Sequence, residues 1–219
     1  MLKKIINILY KDIKIDLSLK HLFLSVALYL VSAIYIIYVT FDFSEIYEFD
    51  IWISLFWIVV LFVSITSISK SFFHESHNRN YYYYYLFSPS ELIIAKLIYN
   101  FIFLLILFFI AITFYSFLLG NLFLSKYIFL LLFLGAFSIS NCLTLVSAIS
   151  FQVKRNSVII GILSFPVIIP ILKILIDISK VSHINSSWNV IENDFYILLL
   201  INIIAVSLSY ILFNYLWKN

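Results

Sequence analysis

Few groups in this chain are suited to chemistry, and the histidines come first. His74 and His77 flank Glu75 in the run S-F-F-H-E-S-H-N-R-N, three residues apart and so able to share one helix face. That spacing is not the H-E-x-x-H of a zinc site, and no third ligand follows nearby, so a solvated pair is the simpler reading. His183 falls in a loop between Asp177 and Asp194, where a solvated histidine is again commoner than a ligand. Cys142 is the only cysteine, which removes C-x-x-C metal and redox sites. The three glycines, Gly120, Gly135 and Gly161, cannot build G-x-x-x-x-G-K-[ST] or G-x-G-x-x-G, so the chain has no phosphate-cradling loop of either kind. The pattern calls for no catalytic residue, no cofactor and no metal. Any ATP-driven work would need a separate polypeptide to hydrolyse the nucleotide.

The elements that must position the remaining polar groups follow from composition. Hydrophobic residues make up 64% of the 219, and charged residues only 11%, against about 25% in an ordinary soluble domain. A soluble chain of this size buries only part of such an apolar surface and needs a charged exterior. Hydrophobicity excludes disorder, and the lone cysteine excludes a disulfide scaffold. The net charge of +3 is dispersed through apolar sequence, so nucleic acid is not the partner. The class is an all-α, polytopic membrane protein.

One membrane domain over 1–219 accounts for the whole chain. A helix needs about 20 apolar residues to cross a hydrocarbon core roughly 30 Å thick. Stretches meeting this run over about 22–39, 51–69, 92–119, 127–151, 157–176 and 195–217. Placing both termini in the cytoplasm puts eleven of the 14 Lys and Arg residues on that side, leaving only Lys126, Lys173 and Lys180 outside. Six spans with cytoplasmic termini is therefore the expected topology. Val31-Ser32-Ala33 mimics a signal cleavage site, but the charged stretch before it is long and the apolar run continues to Val39. The segment reads as an uncleaved span.

Residues 1–21 read as an amphipathic interfacial helix. Ile5, Ile6, Leu9, Ile13 and Leu17 recur at helical spacing, while Lys3, Lys4, Lys11 and Lys14 point mostly elsewhere, towards anionic membrane lipid. The helix is then either a topogenic anchor alone or an anchor that also flanks a cytosolic partner.

The stretch 70–91 is too polar to span. It carries the two histidines, Arg79, five consecutive tyrosines and then L-F-S-P-S-E-L. Ser88 suits a helix N-cap and Pro89 the first helical position. Two readings stay open: a tyrosine-rich belt at the headgroups, or a short helix docking on a cytosolic subunit. In the second, Glu75 and Arg79, four apart, share a helix face. The turn between the fourth and fifth spans is short and basic, with Lys154 and Arg155.

The third span is longer than a crossing requires, so its first turns, with Lys96 and Asn100, lie at the interface or are tilted. No Asp, Glu, Lys or Arg lies mid-span, which argues against a proton- or ion-coupled transporter. Asn100, Asn141, Asn202 and Asn214 read as interhelical hydrogen-bonding groups. Pro166 and Pro170, four apart, each free a backbone carbonyl and mark a kink in the fifth span, as packing or as a moving part.

Tyr85–Phe101, Y-L-F-S-P-S-E-L-I-I-A-K-L-I-Y-N-F, resembles the cytoplasmic loop and third span of the CcmB-like haem exporter family (cytochrome c maturation protein B), six-span permeases of the ABC-2 type. Leu86, Pro89 and Lys96 hold the positions of that family's motif. A second match covers Leu132–Ser140 and Val153–Leu172, where a short basic loop joins two spans and two prolines follow. This chain departs in using Phe, Ile and Tyr where the family is richer in Gly and small residues.

The resemblance implies a bacterial inner-membrane permease subunit working with a cytosolic ABC ATPase, with haem-handling membrane subunits of cytochrome c maturation and with a periplasmic haem chaperone. It implies either haem export or ATP-driven release of the loaded chaperone. The tryptophan-rich haem motif resembles a feature of another protein of that system, and here Trp52, Trp57, Trp188 and Trp217 are scattered. An ABC-2 permease for a lipid, polysaccharide or drug, and a non-transporting scaffold, are the alternative readings.

Overall fold

A computed structural model describes residues 2–18, 20–40, 49–73, 86–119, 127–153, 157–184 and 188–216. The described residues form seven α-helices and no strand: α1 (Leu2–Ser18), α2 (Lys20–Thr40), α3 (Phe49–Phe73), α4 (Pro89–Leu119), α5 (Ile128–Val153), α6 (Ser157–Ile184) and α7 (Trp188–Leu216). Helix is the form that satisfies every backbone group within one segment, which hydrocarbon demands. The chain is an all-helical, polytopic membrane protein. Helices α3 to α7 are each long and apolar enough to cross a membrane, and α2 contributes the shorter apolar stretch Leu24–Thr40.

Helix α4 has 31 residues, about 46 Å at 1.5 Å per residue. The 28 residues of α6 run to Ile184, beyond the apolar stretch that ends near 176. Both exceed a core roughly 30 Å thick, so their ends stand at or outside the headgroups. Helix α6 continues through Pro166 and Pro170, and both lie on its exposed side.

Helices α3 and α5 form the centre, with two-thirds or more of each buried, against a third or less of α4, α6 and α7. Helix α5 packs against α3, α4, α6 and α7, and α3 packs against α2, α5 and α6. Trp57 of α3 is the largest fully buried side chain among the described residues, and its ring packs edge-on to Phe56 and Phe108. Its approach to α5 is possible because residue 135 is glycine: a Cβ there would stand 2.6 Å from Trp57 Cη2. Trp57 Nε1 also donates to Ser179 Oγ of α6 at 3.0 Å, so one indole joins α3 to α4, α5 and α6.

Among the described residues, further side-chain hydrogen bonds cross the interior. Asn100 Nδ2 of α4 donates to Thr144 Oγ1 of α5 at 2.9 Å. Asn141 Nδ2 of α5 donates to Asn202 Oδ1 of α7 at 2.9 Å, and Asn202 Nδ2 donates to Ser138 Oγ at 2.7 Å. Membrane helices have no hydrophobic drive to associate with one another, so such bonds and close packing specify their neighbours.

Candidate functional site: the junction of α1 with the start of α4

Ser88 and Pro89 begin α4 by local chemistry. Ser88 Oγ accepts from the Glu91 amide at 3.4 Å, and Glu91 Oε2 accepts from the Ser88 amide at 3.1 Å. This reciprocal capping box satisfies amides that lack helical partners, and Pro89 at the first position has no amide to satisfy. The Leu92 amide then closes the first turn on the Ser88 carbonyl at 3.2 Å. Helix α4 therefore has a defined, stiff beginning.

Helix α1 crosses that beginning. Ile5 and Ile8 are buried against Ala95, with Phe87 and Ile94 alongside, and Lys4 Nζ donates to the Leu86 carbonyl at 3.3 Å. Asp12, one turn beyond Ile8, is buried with them and stands 3.1 Å from Lys96 Nζ. Its other oxygen lies 2.9 Å from Lys11 Nζ. The Lys96 ammonium also sits 5.8 Å from the centre of the Tyr99 ring, within reach of a cation–π attraction.

Both charged side chains of the Asp12–Lys96 pair are only 5% exposed. Removing two charges from water costs several kcal/mol each, so either one alone would be untenable here. The pair is thus a positional lock between α1 and α4. It joins one helix to the other by charge.

Lys96, near the start of α4, is buried against α1, where Asp12 meets it. One expectation from the sequence is corrected here: the apolar face of α1 is not a single lipid-facing stripe. Ile5 turns onto α4 together with Ile8, while Ile6, Tyr10 and Ile13 remain 60%, 67% and 41% exposed. Asp12 is a site residue that the sequence motifs do not single out, although its position carries a signal. It lies four residues after Ile8 and seven after Ile5, an acid on an apolar stripe, and Lys96 is a base in an apolar helix.

Among the described residues, the remaining candidates do not join this junction. Glu75, Arg79, Lys154 and Arg155 lie outside the described residues, as do His74, His77 and the five tyrosines. Pro166 and Pro170 face away from the bundle on α6. His183 belongs to the opposite end, where its ring stacks on Phe49 at 3.8 Å and Lys180 pairs with Asp50 at 3.1 Å. Among the described residues no three His, Cys, Asp or Glu side chains gather for a metal ion.

The family model described as CcmB protein matches residues 3–214, from the first turn of α1 to the last turns of α7. The chain belongs to the CcmB family. As a CcmB chain it is a haem-exporter permease subunit of cytochrome c maturation and a multi-pass membrane protein. CcmB proteins work with an ABC ATPase and with other components of that system. The CcmB match includes both partners of the Asp12–Lys96 pair, so α1 is part of the family's unit. Neither a curated protein nor a solved structure matches the chain.

Proposed function

We propose that this subunit sits in the bacterial inner membrane with both termini in the cytoplasm, and turns ATP hydrolysis by a separate cytosolic subunit into work on the haem pathway. That work is haem export or ATP-driven release of a haem-loaded periplasmic chaperone. The family match over residues 3–214 carries the reading. The chain has too few glycines for a phosphate-cradling loop, so the ATPase must act through protein contacts.

The stretch 70–91 is the coupling element in this reading. It feeds directly into the capped start of α4, and α4 is locked to α1 by the Asp12–Lys96 pair. A push on the stretch would therefore reach two helices together. The turn at Lys154 and Arg155 is too short to form a docking helix and serves as a secondary contact. Glu75 and Arg79 are the residues assigned to the ATPase. The double change Glu75→Ala, Arg79→Ala should weaken ATPase co-purification in mild detergent and lower the yield of c-type cytochromes, with membrane insertion unchanged. If the ATPase still binds and cytochromes mature normally, the stretch is a headgroup belt and the coupling role is lost.

A further inference from the structure

Buried hydroxyls in this bundle commonly turn back on their own helix. Ser64, Ser69, Thr144, Ser164, Ser179 and Ser209 each donate to the carbonyl four residues earlier. Ser147 and Ser150, one turn apart on α5, differ. Both are 0% exposed, and neither Oγ makes a hydrogen bond to any described residue. An unpaired hydroxyl is costly in an interior, and two side by side call for a ligand able to bond both.

The contacts of α5 fix where these hydroxyls face. Gly135 lies against Trp57 of α3, and Thr144 accepts from Asn100 of α4. At 3.6 residues per turn, Thr144 is about 180° round the axis from Gly135, and Ser150 and Ser147 fall between them at about 60° and 120°. The two serines therefore face the seam between α3 and α4. Helices α4 and α5 are antiparallel there, since Phe108 stands beside Gly135 while Asn100 stands beside Thr144. Three residues further along α5 is thus three residues back along α4. Ser147 is level with about residue 97 and Ser150 with about residue 94. Lys96 occupies that layer, four residues before Asn100 and so on the same side of α4, and it is buried.

We propose that this seam binds water inside the protein, held by Ser147 Oγ, Ser150 Oγ and the Lys96 ammonium. A buried water makes about three hydrogen bonds, and these groups supply three. Its ligand chemistry is neutral, because Asp12 already balances the charge of Lys96 at 3.1 Å. It must both accept and donate, because the ammonium only donates while the hydroxyls do either. An ammonium carries three donors, so Lys96 serves Asp12 and the water together. One water fixed in place does not screen a charge as bulk solvent does, so the Asp12–Lys96 lock keeps its strength. The site is independent of the coupling role of stretch 70–91.

The test reads hydration in the full chain, reconstituted in vesicles of deuterated phosphatidylcholine, by solid-state NMR. Magnetisation starts on water protons, and its arrival at isotope-labelled serines is timed. Ser147→Ala, Ser150→Ala and Ser164→Ala identify the three signals by their loss. Ser147 and Ser150 should receive water magnetisation several-fold faster than Ser164, which is equally buried but bonded to the Ile160 carbonyl. Equal build-up at all three would overturn the site, by showing that the two hydroxyls close on the carbonyls of Leu143 and Val146 in a dry seam. In lysine-labelled protein, transfer to the Lys96 ammonium, identified by its loss in Lys96→Arg, should fall several-fold when Ser147→Ala and Ser150→Ala are combined. An unchanged rate would overturn Lys96 as the third partner. Should an alanine variant on α5 fail to insert, Ser147→Cys or Ser150→Cys keeps nearly the same volume, removes the strong donor and serves the same two readings.

Discussion

The Asp12–Lys96 pair joins α1 to α4 at one end of the bundle, and the Asp50–Lys180 pair joins α3 to α6 at the other. Their distances are the same, 3.1 Å, yet their surroundings differ. The first pair is 5% exposed on both sides, while Asp50 and Lys180 keep 47% and 31% of their surface. Water can replace the partner of an exposed charge and screens its field, whereas a buried charge has no substitute. The lock at α1 is therefore set by charge. At the opposite end α3 and α6 are joined chiefly by apolar and hydrogen-bonding contacts: the Phe49–His183 stack and the Trp57–Ser179 bond. Equal ion-pair distances carry different weight at the two ends.

The most severe way to break this contrast is Asp12→Ala, which strands Lys96. The expected loss is about 3–5 kcal/mol, as for other broken buried pairs, seen as a lower unfolding midpoint in mild detergent. Pairing Asp12→Leu with Lys96→Met should recover most of it, because no buried charge is left alone: Lys11, which also faces Asp12, is 30% exposed to water. A single variant as stable as the parent would show that Lys96 finds water, and the contrast between the two ends would collapse.

A smaller effect tests the opposite end. Gly135→Ala forces the new methyl into Trp57, whose ring is held by Ser179 and Phe108. Overpacking of this kind costs about 1–3 kcal/mol. Gly161→Ala is the matched control, since nothing lies within 4 Å of its added Cβ. It should be neutral or stabilising by up to about 1 kcal/mol, the helix preference of alanine over glycine. Equal midpoints for the two variants would remove Trp57 as the keystone of that end.

The smallest effect sharpens the comparison directly. Asp50→Ala should cost about 0–1 kcal/mol, and the difference should fade as salt shortens the screening length. A loss as large as that of Asp12→Ala, unchanged by salt, would mean the two pairs are equivalent after all.

The beginning of α4 was legible because helix capping acts between neighbours in sequence: Ser88 as N-cap and Pro89 at the first position suffice to place it, and Glu91, three residues on, completes the capping box in the structure. The membrane class and the long apolar helices were legible for a second reason. Bilayer thickness imposes a length that any apolar run can be measured against. The family resemblance of Tyr85–Phe101 and Val153–Leu172 reached the same family that the match over residues 3–214 establishes. Helical spacing showed that α1 is amphipathic, but spacing alone could not divide its apolar residues between lipid and protein.

The amino-acid sequence by itself thus determined the solvent of this protein, its helical class, the capped start of α4 and the family. Each rests on local pattern or on overall composition. Tertiary structure decided that Ile5 and Ile8 meet α4 while Ile6, Tyr10 and Ile13 do not. It also decided that Lys96 is neutralised by Asp12, that residue 135 must be glycine because Trp57 lies against it, and that Asn141 bonds Asn202. These pairings join residues far apart in the chain, and no local rule relates them. They arise from the way the helices pack, which brings each distant partner within a few ångströms and excludes the water that would otherwise take its place.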